Sequence, residues 1–261
     1  MTQDKRYAVL IDADNISDKY IKIILDEISN DGIATYKRIY GDWTKPSLAS
    51  WKSVLLEHSI TPIQQYEYTH GKNSTDSAMI IDAMDILYSG NVEGFCLVSS
   101  DSDFTRLAAR LRESGMDVVG MGESKTPKAF IAACNKFKYL DLLAQKADNP
   151  EEPPADVAEV QEEEVMTNLD TIKKAILTIA RENTDEDEWI FIGDVGNKLQ
   201  KRYPDFDVRN FGFNKFTPFI KSLDLFEIKS ERINGSNNKL IYVREKPQSQ
   251  EKPARKSKSK K

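Results

Sequence analysis

The sequence predicts an α/β domain with a mainly parallel central sheet, followed by a smaller domain of three helices and a β-hairpin. Over the first 140 residues, short apolar runs alternate with segments whose apolar residues recur at helical spacing. After residue 148 the composition becomes proline- and acid-rich, and a second set of helix and strand patterns follows. Alternating strands and helices are typical of right-handed βαβ units around a parallel sheet.

The elements of the first domain follow from two periodicities. Residues 16–29 place Ile21, Ile24 and Ile28 on one helical face, whereas residues 35–40 are β-branched and aromatic, as in a strand. By the same criteria, the predicted strands are residues 7–11, 35–40, 60–65, 95–99 and 117–121, and the predicted helices are residues 16–29, 48–57, 75–88, 103–114 and 127–135.

The second domain has the layout of a winged helix. Three helices are predicted over residues 169–181, 195–202 and 216–223. Two strands, 225–229 and 239–244, follow and are joined by the turn-rich sequence INGSNN. Its phenylalanines are expected in the core more than on a base-stacking surface; they are Phe211, Phe213, Phe216, Phe219 and Phe226.

Charge sets the domain boundaries. Residues 148–166 contain eight acidic and no basic side chains, whereas residues 247–261 contain six basic and one acidic. The first composition is typical of an extended, disordered linker and the second of a disordered basic tail. The predicted domains are therefore residues 1–147 and 167–246, joined by the linker and followed by the tail.

Composition excludes several classes of protein. No apolar run approaches the roughly 20 residues that span a bilayer, and the first residues lack the apolar core of a signal peptide. Cys96 and Cys134 lie in apolar contexts without CxxC spacing, so we expect buried thiols in a cytoplasmic protein. Only two histidines are present, which argues against a zinc site or a Ser–His–Asp set. The motifs GxxxxGK[ST] and GxGxxG are absent, so nucleotide binding is unsupported.

Asp12 directly follows the first predicted strand, in LIDADN. The carboxyl ends of strands in an open α/β sheet face the ligand-binding crevice. The alternative role is an N-cap for the next helix. Because Asp14, Asn15 and Ser17 can supply that cap, we favour a functional role for Asp12.

Asp76 begins a predicted helix on its apolar face. It shares that face with Met79 and Ala83, so its carboxylate points towards the core and needs a cation, a donor or water. A favourable contact with the helix dipole is the alternative, but that role does not require this face. Asp82 lies on another face of the helix, where we expect its side chain to face solvent. The alternative is that Asp82 supports the site without binding the metal directly.

Asp101 and Asp103 follow the strand FCLVSS on a strand-to-helix turn. Ser100 and Asp103 also have the spacing of a capping box, so this pair alone is weak evidence. The stronger signal is that three separate segments deliver acids to one edge of the predicted sheet. Four uncompensated carboxylates would repel one another, and a hard divalent cation such as Mg²⁺ or Mn²⁺ resolves this. Such an ion suits hydrolysis of a phosphodiester.

The segments IDADN, GKNSTDSAMIIDAMDIL and LVSSDSDF, in this order, resemble the NYN domain of the PIN-like nuclease superfamily, in its LabA-like branch. The resemblance spans about residues 5–143 and implies a Rossmann-like fold with a Mg²⁺-dependent ribonuclease site. By position, its catalytic and metal-binding acids are Asp12, Asp76, Asp101 and Asp103. Three further residues are expected near the substrate: Asn15 beside Asp12, Ser99 at the metal edge, and Lys72 as a phosphate contact.

The second domain resembles the OST-HTH/LOTUS winged helix, most closely in FGFNKFTPFIK. This resemblance implies recognition of RNA or of a protein partner. A face of basic residues is the candidate contact with RNA phosphates, although an ordinary solvated surface explains it too; its members are Lys198, Lys201, Arg202, Arg209 and Lys215.

The leading hypothesis is a Mg²⁺-dependent ribonuclease whose winged helix binds RNA. The alternative is a non-catalytic RNA-binding or scaffold protein that recruits partners through its LOTUS domain. A DNA-binding regulator is ranked last, because it explains the basic tail but not the acids.

Overall fold

Six parallel strands form the sheet of the first domain, and helices cover both of its faces. The computed structural model describes residues 4–66, 74–148, 166–183, 189–232 and 239–246. The strands are β1 (Arg6–Asp12), β2 (Ile33–Gly41), β3 (Thr61–Gln64), β4 (Gly94–Val98), β5 (Asp117–Gly122) and β6 (Lys136–Tyr139). The helices are α1 (Ile21–Ser29), α2 (Trp51–Glu57), α3 (Ser74–Ser89), α4 (Thr105–Glu113), α5 (Lys128–Ala133) and α6 (Leu140–Asp148).

The strand order is β3-β2-β1-β4-β5-β6, and every neighbouring pair is parallel. Along the chain, β2 and β3 are added on one side of β1, and β4, β5 and β6 are then added on its other side. The strand order therefore reverses between β1 and β4, and a ligand crevice forms above the carboxyl ends of the strands at such a point. Asp12 ends β1 and Ser99 directly follows β4, so both residues border this crevice.

Both faces of the sheet are buried. Tyr7, Val9 and Ile11 of β1 belong to the core that includes α1, whereas Ala8 and Leu10 belong to the core on the opposite face, with α3 and α4. All five side chains are at most 1% exposed. A strand buried on both faces has a continuous apolar sequence, which is why these strands could be predicted.

The sequence patterns do not predict β6 or α6. The sequence of β6 is KFKY, in which lysines alternate with aromatic residues. Phe137 and Tyr139 enter the core, at 2% and 1% exposure, while Lys138 donates to Glu27 of α1 at 2.6 Å. An ion pair to a residue more than a hundred positions away thus stabilises a strand whose local sequence is ambiguous.

Some predicted segments differ from the structure or fall outside it. The helix predicted over residues 48–57 begins only at Trp51, because Pro46–Leu48 forms a separate 3-10 turn. Most of the predicted linker (149–165), the hairpin tip (233–238) and the basic tail (247–261) lie outside the described residues.

Both cysteines are free and buried, as predicted. Burial raises the pKa of each thiol, that of Cys134 to about 12, so neither has the character of a reactive thiolate. Among the residues that the structure describes, no helix has both the length and the apolarity to cross a membrane.

Over its described residues, the second domain has three α-helices and a small antiparallel sheet. Phe219 and Phe226 are buried in its core, and the other three phenylalanines predicted there pack against that core. The short first strand of the sheet was not predicted, because two residues carry no periodicity. The elements are α7 (Leu169–Glu182), β7 (Ile190–Phe191), α8 (Ile192–Arg202), α9 (Phe216–Ser222), β8 (Phe226–Arg232) and β9 (Lys239–Glu245), with sheet order β7-β9-β8.

The two domains contact each other through Arg209. Its guanidinium donates to the Glu27 carboxylate of α1, with Nη2 2.8 Å from Oε2, and Lys138 holds the same carboxylate. A backbone bond crosses the same interface, because the amide of Phe137 donates to the carbonyl of Pro204 at 2.8 Å. The second domain therefore docks on the side of the first formed by α1 and β6.

Glu27 is charged within this interface. Burial alone would raise the pKa of Glu27, but hydrogen bonds from Arg209 and Lys138 outweigh burial and hold it at about 2. Because this pKa lies below the ordinary 4.5, the stabilisation from Glu27 is fully present above pH 4.5 and is lost only as the pH falls towards 2. Docking through Glu27 should therefore persist at neutral and mildly acidic pH.

We predict that Arg209→Ala loosens the docking of the two domains and unfolds neither. Removing one partner of a buried ion pair typically costs about 3–5 kcal/mol, and we expect about 2 kcal/mol because 30% of the Arg209 side chain is exposed. Small-angle X-ray scattering should show a larger radius of gyration than the wild type.

The matched control is Arg181→Ala, which breaks an ion pair with Glu245 inside the second domain. Its radius of gyration should equal that of the wild type. A wild-type radius for Arg209→Ala as well would contradict the docking role of Arg209.

Candidate metal centre

Asp12 is held rigidly at the end of β1. Its side chain is fully buried and accepts three hydrogen bonds: from the amide of Asp14 at 3.1 Å, from Asn15 Nδ2 at 2.7 Å and from Ser99 Oγ at 2.8 Å. These donors fix the direction of the carboxylate. They also show what Asn15 and Ser99 do here: both side chains position Asp12.

Asp76 enters the crevice from the first turn of α3. It is 8% exposed, and Met79 and Ala83 on the same face are fully buried, so the helix turns this face to the core as its sequence predicts. The helix begins at the crevice, so the core-facing position in its first turn borders the crevice. Asp76 occupies that position, where later turns of the same face carry apolar side chains.

Asp101 and Asp103 lie on the turn after β4. The Asp101 carboxylate caps the 3-10 turn Ser102–Phe104, with Oδ1 accepting from the amide of Asp103 at 2.9 Å. The alternative role of Ser100 and Asp103 as a capping box does not match these contacts, because Ser100 Oγ accepts from the amide of Glu123 at 2.9 Å. The cap leaves the remaining oxygen of Asp101 available to the crevice.

The acids from α3 and from the turn after β4 form one cluster. Asp76, Asp101 and Asp103 each offer an oxygen, and these oxygens all lie within 4.8 Å of one another. The donor set is all carboxylate, which fits Mg²⁺ or Mn²⁺ and not a metal that prefers nitrogen or sulfur ligands. Asp12 stands beside this cluster and is the most buried of the four acids.

The negative charges of the cluster act on one another. Burial, together with the charges of Asp12, Asp101 and Asp103, raises the pKa of Asp76 to about 6. Burial also raises the pKa of Asp12, although its hydrogen bonds oppose the change. Within the described part of the chain, no basic side chain forms an ion pair with Asp12, Asp76 or Asp101. A divalent cation would supply the missing positive charge.

Asp14 also belongs to this region, which its sequence context does not predict. Its carboxylate accepts from Thr75 Oγ1 at 3.1 Å and pairs with Lys45 Nζ at 3.7 Å, so it links the end of β1 to the start of α3. The sequence assigned it to helix capping. Its position two residues after Asp12 was the only available signal.

Asp82, predicted to be solvated or to support the site, has its hydrogen bonds outside the cluster. Asp82 accepts hydrogen bonds from Arg38 and from the Tyr40 hydroxyl, so its closest partners are on β2. Lys72 lies outside the described residues.

The basic residues predicted for the winged helix divide by their contacts. Arg209 is engaged in the domain contact described above. Arg202 pairs with Glu182 at 2.9 Å, and Lys198 donates to Asn183. Lys201 and Lys215 are exposed.

We predict that Asp76→Asn stabilises the protein when divalent metals are chelated. Because the pKa of Asp76 is raised, the folded state favours its protonated form, and stability falls as the pH rises from about 4 through 6. At pH 8 with EDTA, the neutral amide should raise the free energy of unfolding by about 1–2 kcal/mol. Thermal unfolding measures this change.

In the same experiment, Mg²⁺ should raise the Tm of the wild type more than that of Asp76→Asn. The control is Asp85→Asn on the exposed side of α3, which should behave as the wild type under both conditions. A wild-type response to Mg²⁺ in Asp76→Asn would remove Asp76 from the metal centre.

Comparison with solved structures gives weak likenesses. A protein of unknown function from Vibrio parahaemolyticus matches with a TM-score of 0.45 and 17% identity, over 52% of this chain and 93% of that chain. An uncharacterized protein from Nitrosomonas europaea matches with a TM-score of 0.28 and 29% identity, over 38% of this chain and 91% of that chain. No match was found among curated proteins.

Family models match both domains. The OST-HTH/LOTUS domain model matches residues 167–237, and the NYN domain model matches residues 6–141, which is more than half of the chain. The NYN match includes the whole six-stranded sheet and all four acids. The chain therefore belongs to the NYN domain family and carries a C-terminal OST-HTH/LOTUS domain.

Proposed function

We propose that this protein is a divalent-metal-dependent ribonuclease that hydrolyses RNA phosphodiester bonds and binds its substrate partly through the winged helix. NYN domains are nuclease-like and OST-HTH/LOTUS domains bind RNA, which supports the coarser part of this proposal. The observation that carries the finer part is the cluster of carboxylates from α3 and from the turn after β4, with the charge of Asp12 acting on it from the end of β1.

In this proposal, Asp76, Asp101 and Asp103 hold the ion, and Asp12 supports it from the end of β1. When bound, Mg²⁺ or Mn²⁺ would polarise the phosphoryl oxygen and lower the pKa of a water molecule. Asn15 and Ser99 keep the Asp12 carboxylate in place. Asp103 is the most exposed of the four acids, so it lies where substrate and water enter.

We predict that Asp101→Asn abolishes Mg²⁺-dependent cleavage of labelled single-stranded RNA, with a fall of at least about 100-fold. Asparagine caps a helical turn as well as aspartate does, so the turn after β4 should be retained while the carboxylate charge is lost. The wild type should cut RNA with Mg²⁺ and lose this activity with EDTA.

Asp85→Asn again serves as the control and should cleave at the wild-type rate. Asp12→Asn should also be inactive. Its Tm should be lower than that of the wild type, because the amide nitrogen of the new asparagine would face groups that donate hydrogen bonds to the Asp12 carboxylate. RNA binding without cleavage by the wild type in Mg²⁺ or Mn²⁺ would favour the non-catalytic alternative. Full activity in Asp101→Asn would contradict the assignment of the site.

A further inference from the structure

A groove runs along the junction of the two domains, on the side of the first domain away from the metal centre. It encloses about 660 Å³. The end of α5 and the start of β6 form one wall, and the last turn of α8 with Pro204 forms the other. Since residues of both domains line the groove, it exists only while the domains are docked.

The groove is lined by positive charge from both domains. Arg112 and Lys136 belong to the NYN domain, and Lys201 and Arg202 belong to the winged helix. Lys136 pairs with Asp31 and Arg202 pairs with Glu182, so Arg112 and Lys201 are the groove cations that form no ion pair among the described residues. Lys201 is exposed, and no described residue forms an ion pair or hydrogen bond with it. A concave surface with cations on both walls fits a polyanion.

The other polar groups fit the backbone of a nucleic acid. Asn135, Asn197 and Gln200 also line the groove, and amides commonly bind phosphate and sugar oxygens. No aromatic side chain lines it, so the groove has no platform on which bases could stack. Its chemistry therefore matches phosphates rather than bases.

Helix α4 connects this groove to the metal centre. It starts directly after the turn that carries Asp103 and ends at Glu113, next to Arg112 of the groove, so the two sites are about 13 Å apart along its axis. Arg106 and Arg110 are exposed on α4 between these ends. Arg112 lies roughly 120–160° around the helix from them, so α4 sets the distance between the two sites without aligning its arginines with the groove.

We propose that this junction groove binds the phosphate backbone of the RNA. The proposal rests on the proposed function for the identity of the polyanion. It adds that the NYN domain and the winged helix share one RNA site, and that the site depends on the docking by Arg209 and Glu27.

The test measures binding of a fluorescent single-stranded RNA of about 16 nucleotides by anisotropy, at several salt concentrations. All proteins carry Asp101→Asn to prevent cleavage. Lys201→Ala should weaken binding about five- to tenfold for any RNA sequence and reduce the slope of log K against log salt by about one. Arg112→Ala/Lys201→Ala should reduce the slope by about two.

Lys52→Ala is the matched control, because Lys52 is an exposed lysine on α2, which packs on the opposite face of the sheet from α4. It should keep the affinity and salt slope of the parent. Arg112 Nη1 also donates to carbonyls at the end of α5, including that of Ala132 at 3.1 Å, so its loss can disturb folding. If the double variant does not fold, the result for Lys201→Ala decides the test.

If Lys201→Ala has the same affinity and salt slope as the parent, the proposal that the groove binds RNA is overturned. RNA cleavage by the wild type would still support the proposed function. Binding of duplex DNA in preference to RNA, with the same loss in Lys201→Ala, would overturn RNA as the occupant. No RNA binding by the parent protein would overturn both proposals.

Discussion

Repulsion among carboxylates that the fold brings to one crevice is the constraint on which the site depends. Asp12 ends β1, Asp101 and Asp103 follow β4, and Asp76 lies in the first turn of α3. The reversal of strand order between β1 and β4 creates the crevice, and the buried sheet below it prevents the acids from moving apart. The destabilising effect of this repulsion is seen in the pKa of Asp76, which rises to about 6. A cation bound among the carboxylates would offset this destabilisation.

Contacts between the two domains set the position of the basic groove. The contact of Arg209 with Glu27 joins residues 182 positions apart, and the bond from Phe137 to Pro204 fixes β6 against the winged helix. These contacts place basic residues of α8 beside Arg112 and Lys136. The acidic centre and the basic groove then lie at opposite ends of α4.

Much of this could be predicted from local sequence. The apolar run of β1 predicts a strand buried on both faces, and the helical phase of Asp76 predicts its direction into the core. By contrast, β6 depends on Lys138 meeting Glu27, and the role of Arg209 depends on a residue in the other domain. Such long-range ion pairs leave no periodic signal. Arg209 therefore looked like a contact for phosphate, although its guanidinium binds a carboxylate.

The most direct test of a metal centre at this crevice is a crystal of the wild-type protein soaked in Mn²⁺ and measured at the manganese absorption edge. We expect an anomalous peak about 2.1 Å from carboxylate oxygens of Asp76, Asp101 and Asp103, on the side of the cluster next to Asp12. Absence of any peak at saturating Mn²⁺, with the acids in the positions described above, would contradict a metal centre at this crevice.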